Sequence, residues 1–231
     1  MATQIIDKEY PSDSTAYASI VADVTALWKW DSIDSTSTEG QTSFKKGDIR
    51  FIIKENSSFA PNAYIGNDTL ATIAGDSNYV ANYRMVSVKY IVSDSIFAVA
   101  FVGGSGGATA IANATHLAVV TISEGKNAAT KTAEAVAHCF HVYNNSRYCT
   151  LVSADSTSAK DEALGQSSNR VTTGAKITTT TSPASPFYSA CTCDDIRIVL
   201  AWSFANEKEW GKVIYNDKPY YCAHSVLIPI E

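Results

Sequence analysis

Residues 103–107, with the sequence GGSGG, form the sharpest chemical pattern in the chain because they match the spacing G-x-S-x-G. In that pattern a tight turn after a strand exposes a serine hydroxyl, and the flanking glycines relieve crowding around it. An acid and a base for such a nucleophile follow in the required order, as Asp194 or Asp195 and then His224. A serine hydrolase that uses Ser105 is therefore one hypothesis for the function.

Over these residues alone the chain resembles the α/β-hydrolase family, which implies a Ser-acid-His triad on an α/β sheet. Four glycines in five positions are also typical of a flexible hinge at the end of a strand. No His-Gly-Gly segment lies upstream to supply an oxyanion hole, and the small-residue stretch at 108–114 is short for the helix that should follow. We favour the hinge, and predict that the protein is not an enzyme and has no catalytic residues.

Cysteine and histidine suggest a second chemistry. Cys191 and Cys193 are two residues apart, as are Cys222 and His224, so each pair would share one face of a strand. The four side chains together could ligate zinc, but buried structural cysteines are the simpler interpretation and we predict no metal and no cofactor. The total of five cysteines is odd, and the N-terminal ten residues lack the basic and apolar segments of an export signal. We therefore expect all five to be reduced, or at most one pair to be bridged.

Aromatic side chains form a third group of candidates. Trp28 and Trp30 lie at the end of the first predicted helix, and the others crowd the C-terminal region: Trp202, Trp210, Tyr215, Tyr220 and Tyr221. Stacked aromatic rings bind sugars and also anchor protein interfaces, whereas tyrosines alternating along strands are mostly packing residues. A glycan-binding or adhesin module, with a host-surface glycan as ligand, is thus an alternative function. We rank it below a protein interface, and ordinary packing above both.

Overall composition limits the partners that the chain can have. A length of 231 residues suffices for a sizeable core, and we expect one domain over residues 1–231. The net charge of −5 and the scattered basic residues argue against direct sequence-specific binding of nucleic acid. No apolar run reaches the roughly 18 residues that a membrane helix requires, so we expect no membrane partner.

The elements that must position these residues are predicted from hydrophobic spacing. A helical period predicts one helix near 13–30, and an Ala-rich stretch predicts a second helix near 127–143, with His138 and His141 on one face. Elsewhere alternation and turn residues predict strands, with hairpins over 85–102 and 213–222 and a last strand over 226–230. We expect an α+β fold dominated by antiparallel sheet, as a sandwich, a barrel or an open sheet. A parallel α/β sheet built on the run 116–152 is the alternative.

Polar and turn residues predict the structure of three further segments. Residues 158–164 predict a short helix that ends at Gly165. Residues 31–43 and 55–82 are predicted to be extended loops or arms. The second arm contains many apolar side chains, so it requires a surface to bury them. That surface could belong to a neighbouring subunit or to the arm's own domain.

Two short segments resemble parts of known virion proteins. Residues 42–49, TSFKKGDI, resemble the opening strand of small β modules in tailed-bacteriophage virion proteins, and residues 212–221, KVIYNDKPYY, resemble the hairpins that close such modules. The resemblance implies a non-enzymatic structural subunit of a phage capsid, head-tail or tail assembly. It also implies that the protein is made in the host cytoplasm and acts in the virion. Its partners would be further copies of itself and other virion proteins.

Overall fold

The computed structural model describes most of the N-terminal two thirds of the chain and parts of the remainder. The described residues are 2–11, 15–36, 40–55, 62–68, 84–104, 116–127, 133–143, 146–152, 162–163, 175–176, 191–192, 197–198, 210–215, 217–223 and 226–230. They form mainly antiparallel β-sheet with one helix, which confirms the predicted β-rich character of the fold. All of their strand pairings are antiparallel, so the alternative of a parallel sheet over 116–152 is wrong.

The described strands form three sheets. The largest has eight strands, in the order β1-β6-β7-β8-β9-β10-β11 with β13 beside β8: β1 (Gln4–Lys8), β6 (Arg84–Val92), β7 (Ile96–Gly104), β8 (His116–Asn127), β9 (Ala133–Tyr143), β10 (Ser146–Val152), β11 (Glu162–Ala163) and β13 (Cys191–Thr192). We call it the central sheet.

The small sheet has four strands in sequence order: β2 (Ser32–Thr36), β3 (Gln41–Lys46), β4 (Ile49–Lys54) and β5 (Asn62–Asn67). The C-terminal sheet has five strands in the order β12-β14-β17-β16-β15: β12 (Ala175–Lys176), β14 (Arg197–Ile198), β17 (Val226–Pro229), β16 (Lys218–Ala223) and β15 (Trp210–Tyr215). The hairpins predicted over 85–102 and 213–222 and the final strand are therefore confirmed.

Helix α1 (Ala16–Leu27) confirms the first predicted helix with narrower bounds. Its apolar side chains recur at helical spacing, and Ala16, Ile20 and Val24 are buried. The helix ends because Trp28 adopts an extended backbone conformation. Among the described residues, no helix is long and apolar enough to cross a bilayer.

The second predicted helix, over 127–143, is wrong. Asn127 ends β8, and residues 133–143 are strand β9, paired with β8 on one side and β10 on the other. Alanine favours helix locally, but a strand between two partners gains ladder hydrogen bonds and buries Ala137 completely. The packing of the sheet outweighs the local preference. The short helix predicted over 158–164 also differs from the structure, because Glu162 and Ala163 pair with β10.

The two predicted arms are largely β-structure where the structure describes them. Residues 31–43 contain β2 and the start of β3, which pair with each other. Within 55–82, strand β5 pairs with β4 and buries Ala63 and Ile65. This part of the second arm therefore packs on its own chain, and the remainder, over 56–61 and 69–82, lies outside the described residues.

The central sheet is covered on both faces. Phe97 of β7 packs against Trp28 at the end of α1 and Phe51 of β4, with ring centroids 5.8 and 6.0 Å away. Lys89 of β6 points to the opposite face, where its ammonium lies 5.5 Å from the ring centroid of Trp210 in β15. Helix α1 and the small sheet thus cover one face, and the C-terminal sheet covers the other.

Candidate functional site

The structure gives the predicted serine site an unfavourable context. Gly103 and Gly104 end β7, a strand in an antiparallel sheet, whereas a nucleophile elbow belongs to an α/β sheet followed by a helix. Ser105, Gly106, Gly107, Asp194, Asp195 and His224 all lie outside the described residues. The serine hydrolase therefore stays an untested hypothesis.

The predicted zinc ligands belong to two different sheets. Cys191 lies in β13 and pairs with Asn127 of the central sheet, whereas Cys222 lies in β16 of the C-terminal sheet, where it is buried and not disulfide-bonded. Cys193 and His224 lie outside the described residues. Within the part of the chain that is described, no three His, Cys, Asp or Glu side chains converge as metal ligands.

The structure does not bring the other histidines or cysteines together as pairs. His138 and His141 lie on strand β9, so they do not share the helix face that their spacing predicted. Cys139 is the register partner of Thr150, and Cys149 that of Phe140, so the two cysteines are not paired across the strands.

Trp28 and Trp30 form a packed aromatic cluster between the layers. Their rings meet edge to face at 5.1 Å, and Trp30 lies 5.0 Å from Phe97 and 5.1 Å from Phe44. Both indole N–H groups are used internally: Trp28 donates to the carbonyl of Ser93 at 3.0 Å, and Trp30 to that of Val24 at 2.8 Å. Rings held in this way stabilise the core, as the packing interpretation predicted. The sequence could not show it, because Phe97 is far away along the chain.

A pocket opens beside this cluster and has a volume of about 390 Å³. It lies at the C-terminal end of α1, between the β3–β4 and β6–β7 turns, and its lining residues are Ala26, Leu27, Trp28, Lys29, Lys46, Ser93 and Asp94. We call it the Trp28 pocket. It combines an apolar wall with two lysines and one aspartate.

Lys46 is fixed at the wall of the Trp28 pocket. Its ammonium lies 5.1 Å from the Trp28 ring centroid, a cation–π distance. It also donates to the Lys29 carbonyl at 3.0 Å and to the Asp31 carboxylate at 3.4 Å. The Lys46 ammonium is therefore paired with Asp31 beside an apolar surface.

A second polar group lies between the central and C-terminal sheets. Lys89 is 5% exposed, forms an ion pair with Asp7 of β1, and lies against Trp210. On the same strand face the hydroxyl of Ser87 is buried without a hydrogen-bond partner in the described structure. A buried lysine requires a counter-charge, and Asp7 on the neighbouring strand of the same sheet supplies it, while the contact with Trp210 joins Lys89 to the C-terminal sheet.

A third polar group joins α1 to the central sheet. The hydroxyl of Tyr10 and the ammonium of Lys8 both donate to the Asp23 carboxylate, and Tyr10 lies 2.7 Å from the Tyr90 hydroxyl. Burial raises the pKa of both tyrosines above the ordinary value, and the nearby Asp23 charge raises it further. Both tyrosines therefore resist deprotonation at alkaline pH and act as structural hydrogen-bonding groups.

The hairpin formed by β15 and β16 runs from a buried end to an exposed end. At the buried end Trp210 contacts Lys89, and Tyr221 is 6% exposed, a burial that raises the Tyr221 pKa to about 12. Two and four residues after Trp210, on the same face by strand alternation, Lys212 is exposed and Ile214 is 73% exposed. The face that packs on the central sheet at one end is therefore open at the other.

The far end of this hairpin carries apolar and charged groups together. Pro219 is the register partner of Ile214 and is also exposed, as are Asp217 and Lys218 at the turn. Asp217 has a positive φ of 58°, as the tight two-residue turn requires. We call Ile214, Asp217, Lys218 and Pro219 the hairpin tip. The sequence predicted the hairpin but gave no sign that its tip is uncovered.

Comparisons with protein-family models, with curated proteins and with solved structures gave no match for this chain.

Proposed function

We propose that this chain is a non-enzymatic structural subunit of a symmetric assembly, with the bacteriophage virion as the setting that its sequence resemblance supports. The subunit would be made in the host cytoplasm and act in the virion, among copies of itself and other virion proteins. The observation that carries the proposal is the exposure of Ile214, at 73%, on a hairpin at the edge of a sheet.

Two properties of the hairpin support an interface. Strand β15 is the edge strand of the C-terminal sheet, so in the described structure its outer backbone groups pair with no neighbouring strand. An edge strand with an exposed β-branched residue favours association with another chain unless it is covered. The tip also falls within 212–221, the segment that resembles the closing hairpins of virion modules. An apolar surface that is exposed in the isolated subunit is typical of a surface that becomes buried in an assembly.

The polar groups of the described residues fit a structural role as well. Tyr10 pairs with Asp23 of α1 across two layers, whereas Lys89 pairs with Asp7 on the neighbouring strand of the central sheet and contacts Trp210 of the C-terminal sheet. These groups hold the layers together, and none of them is arranged as a nucleophile with its base.

The oligomeric state of the full chain tests the proposal. We expect mass photometry to show a defined oligomer, and negative-stain electron microscopy to show rings, filaments or particles. The variant Ile214→Ser should dissociate at concentrations at least about tenfold higher than the wild type, since an isoleucine that is buried on association contributes about 1.5–3 kcal/mol.

The matched control is Ile33→Ser, since Ile33 is the other large exposed apolar residue of the described chain, at 41%, and lies on β2 of the small sheet. It should leave the oligomer intact. A wild-type chain that stays monomeric at high micromolar concentration would contradict the proposal, as would equal effects of the two variants.

A further inference from the structure

Strand β15 directs backbone hydrogen-bonding groups to its outer edge. The Pro219 carbonyl accepts a hydrogen bond from the Ile230 N–H at 3.2 Å, so the backbone of Pro219 faces the last strand rather than β15. In an antiparallel ladder, residues that bond to one neighbour alternate with residues that bond to the other. Ile214, the register partner of Pro219, therefore directs its N–H and C=O away from β16, as does Lys212 two residues earlier. No other described strand pairs with this edge, so it offers donors and acceptors to an added strand.

The side chains along this edge are exposed and carry opposite charges on the two sides of an apolar residue. Ile214 is 73% exposed, Lys212 precedes it by two residues, and Asp217 follows it by three, in the turn. Lys212 and Asp217 are also exposed, and within the described structure neither side chain makes a hydrogen bond or an ion pair. A half-turn about Ile214 exchanges the two ends of the strand, so each charge meets the opposite charge of a second copy. The edge is therefore complementary to itself, as a two-fold contact requires.

Charge and apolar contact select one register for such a pair. A two-fold axis at Ile214 places the two isoleucines opposite each other. It also brings Lys212 of each copy beside the turn that carries Asp217 of the other, within reach of a long side chain. An axis at Lys212 would instead place two ammonium groups directly opposite, which is destabilising. An axis at Val213 would place each isoleucine opposite a lysine and leave it without an apolar partner.

We propose that two copies of this chain pair their β15 strands in antiparallel orientation, about a two-fold axis at Ile214. This inference rests on the proposed function, since it names one contact through which the assembly forms. The two isoleucines exchange both of their backbone hydrogen bonds and cover each other's side chains, and the two C-terminal sheets become one continuous sheet. Because both copies use the same surface, the contact closes as a dimer, and a larger assembly is built from that dimer through a second surface.

Disulfide cross-linking tests the register directly. The Cα atoms of a hydrogen-bonded antiparallel pair lie about 5.5 Å apart, a distance that a disulfide spans, so mildly oxidised Ile214→Cys should form a covalent dimer. Lys212→Cys is the matched control on the same edge, and it should stay unlinked because the two copies of this position are offset by about 13 Å along the strands. Mass spectrometry should identify a link between two copies of position 214, and oxidised wild type accounts for the native cysteines. Cross-linking of neither variant, or of both equally, would overturn the inference.

A double-mutant cycle tests the two ion pairs. Lys212→Glu reverses an exposed charge, and Asp217→Asn removes one while keeping a residue that tolerates positive φ. Each change should weaken dimerisation roughly two- to tenfold, because the two-fold axis repeats each exposed ion pair. The effect of Lys212→Glu should be much smaller in the Asp217→Asn background. Sedimentation equilibrium measures the dissociation constants, circular dichroism checks that all four proteins are folded, and additive effects would overturn the inference.

The outcomes separate this inference from the proposed function. If the wild type assembles and Ile214→Ser disrupts the assembly, but position 214 does not cross-link to itself and the two charge changes are additive, then the hairpin tip contacts a different surface of its neighbour. In that case the structural-subunit function stands and the pairing of two β15 strands is wrong. If the wild type stays monomeric, both proposals fall together.

Discussion

Asp31 shows how one exposed carboxylate can fix a turn. It accepts a hydrogen bond from the Gly47 backbone N–H at 2.7 Å and lies 3.4 Å from the Lys46 ammonium. The Gly47 hydrogen bond, followed by the positive charge of Lys46, lowers the pKa of Asp31 below its ordinary value of 3.8. The turn between β3 and β4 is thereby tied to the end of α1, beside the Trp28 pocket.

The Asp31→Asn variant should change the pH dependence of stability. A lowered pKa in the folded protein means that the ionised carboxylate stabilises the fold above about pH 4, and that this contribution disappears as pH falls through the lowered pKa. We expect the wild type to be more stable than the variant at pH 7, and the difference to vanish near pH 2. Urea unfolding at several pH values measures it.

The control for this prediction is Asp34→Asn on β2, because the described structure gives the exposed Asp34 side chain no hydrogen bond or ion pair. The unfolding free energy of this variant should match that of the wild type at both pH values. A difference in unfolding free energy between the wild type and Asp31→Asn that stays constant across the pH range would show that the charge of Asp31 does not stabilise the fold.

Among the elements, the β3–β4 hairpin depends on its turn. Gly47 has a φ of 57°, in the left-handed region that favours glycine, and a Cβ at this position would lie 3.3 Å from the Cβ of Ala135 in β9. The turn therefore determines both the hairpin and the close approach of the small sheet to the central sheet.

The Gly47→Ala variant should lose about 1–2 kcal/mol of unfolding free energy, because a side chain in this conformation is strained. The matched control is Gly211→Ala on β15, where a Cβ would meet nothing within 4 Å. That change should be neutral or stabilise by up to about 1 kcal/mol, since alanine loses less backbone entropy on folding. Denaturant unfolding that shows equal losses of unfolding free energy for Gly47→Ala and Gly211→Ala would contradict the role assigned to the turn.

At the scale of the whole molecule, Phe97 connects three parts of the fold. It is fully buried, and its ring contacts Trp28 and Trp30 after α1 and Phe51 of the small sheet. These contacts lie on one face of the central sheet and join segments that are far apart in the chain. Loss of this ring should weaken the docking of a whole layer.

The Phe97→Ala variant should lose about 3–5 kcal/mol of unfolding free energy through a large cavity between the layers. The near-ultraviolet circular dichroism of Trp28 and Trp30 should weaken, because their surroundings lose a rigid neighbour. Phe97→Leu, which refills most of the space, should lose much less. A loss below about 1 kcal/mol for Phe97→Ala would show that the layers are held together elsewhere.

The pocket and the exposed tip could not be predicted from the sequence. The pocket requires Lys46 and Asp94 to meet beside the end of α1, although they belong to different turns in different sheets. Ile214 is 73% exposed although Trp210 on the same strand face contacts Lys89 of the central sheet, and no local sequence pattern encodes which part of a strand a neighbouring layer covers. Spacing along a chain shows which residues share an element, not which elements meet, so it could not show that Cys191 and Cys222 lie in different sheets.

The sequence by itself determined those helices and strands whose local residue pattern favours the same structure as their tertiary packing does. The spacing of Ile20 and Val24 predicts α1, and alternation with turn residues predicts the β6–β7 and β15–β16 hairpins, because these patterns need only neighbours close in sequence. The tertiary structure decided the rest. It made 133–143 a strand despite its alanines and folded 31–43 into a hairpin, since partners distant in the chain supplied hydrogen bonds and burial that outweigh weak local preferences.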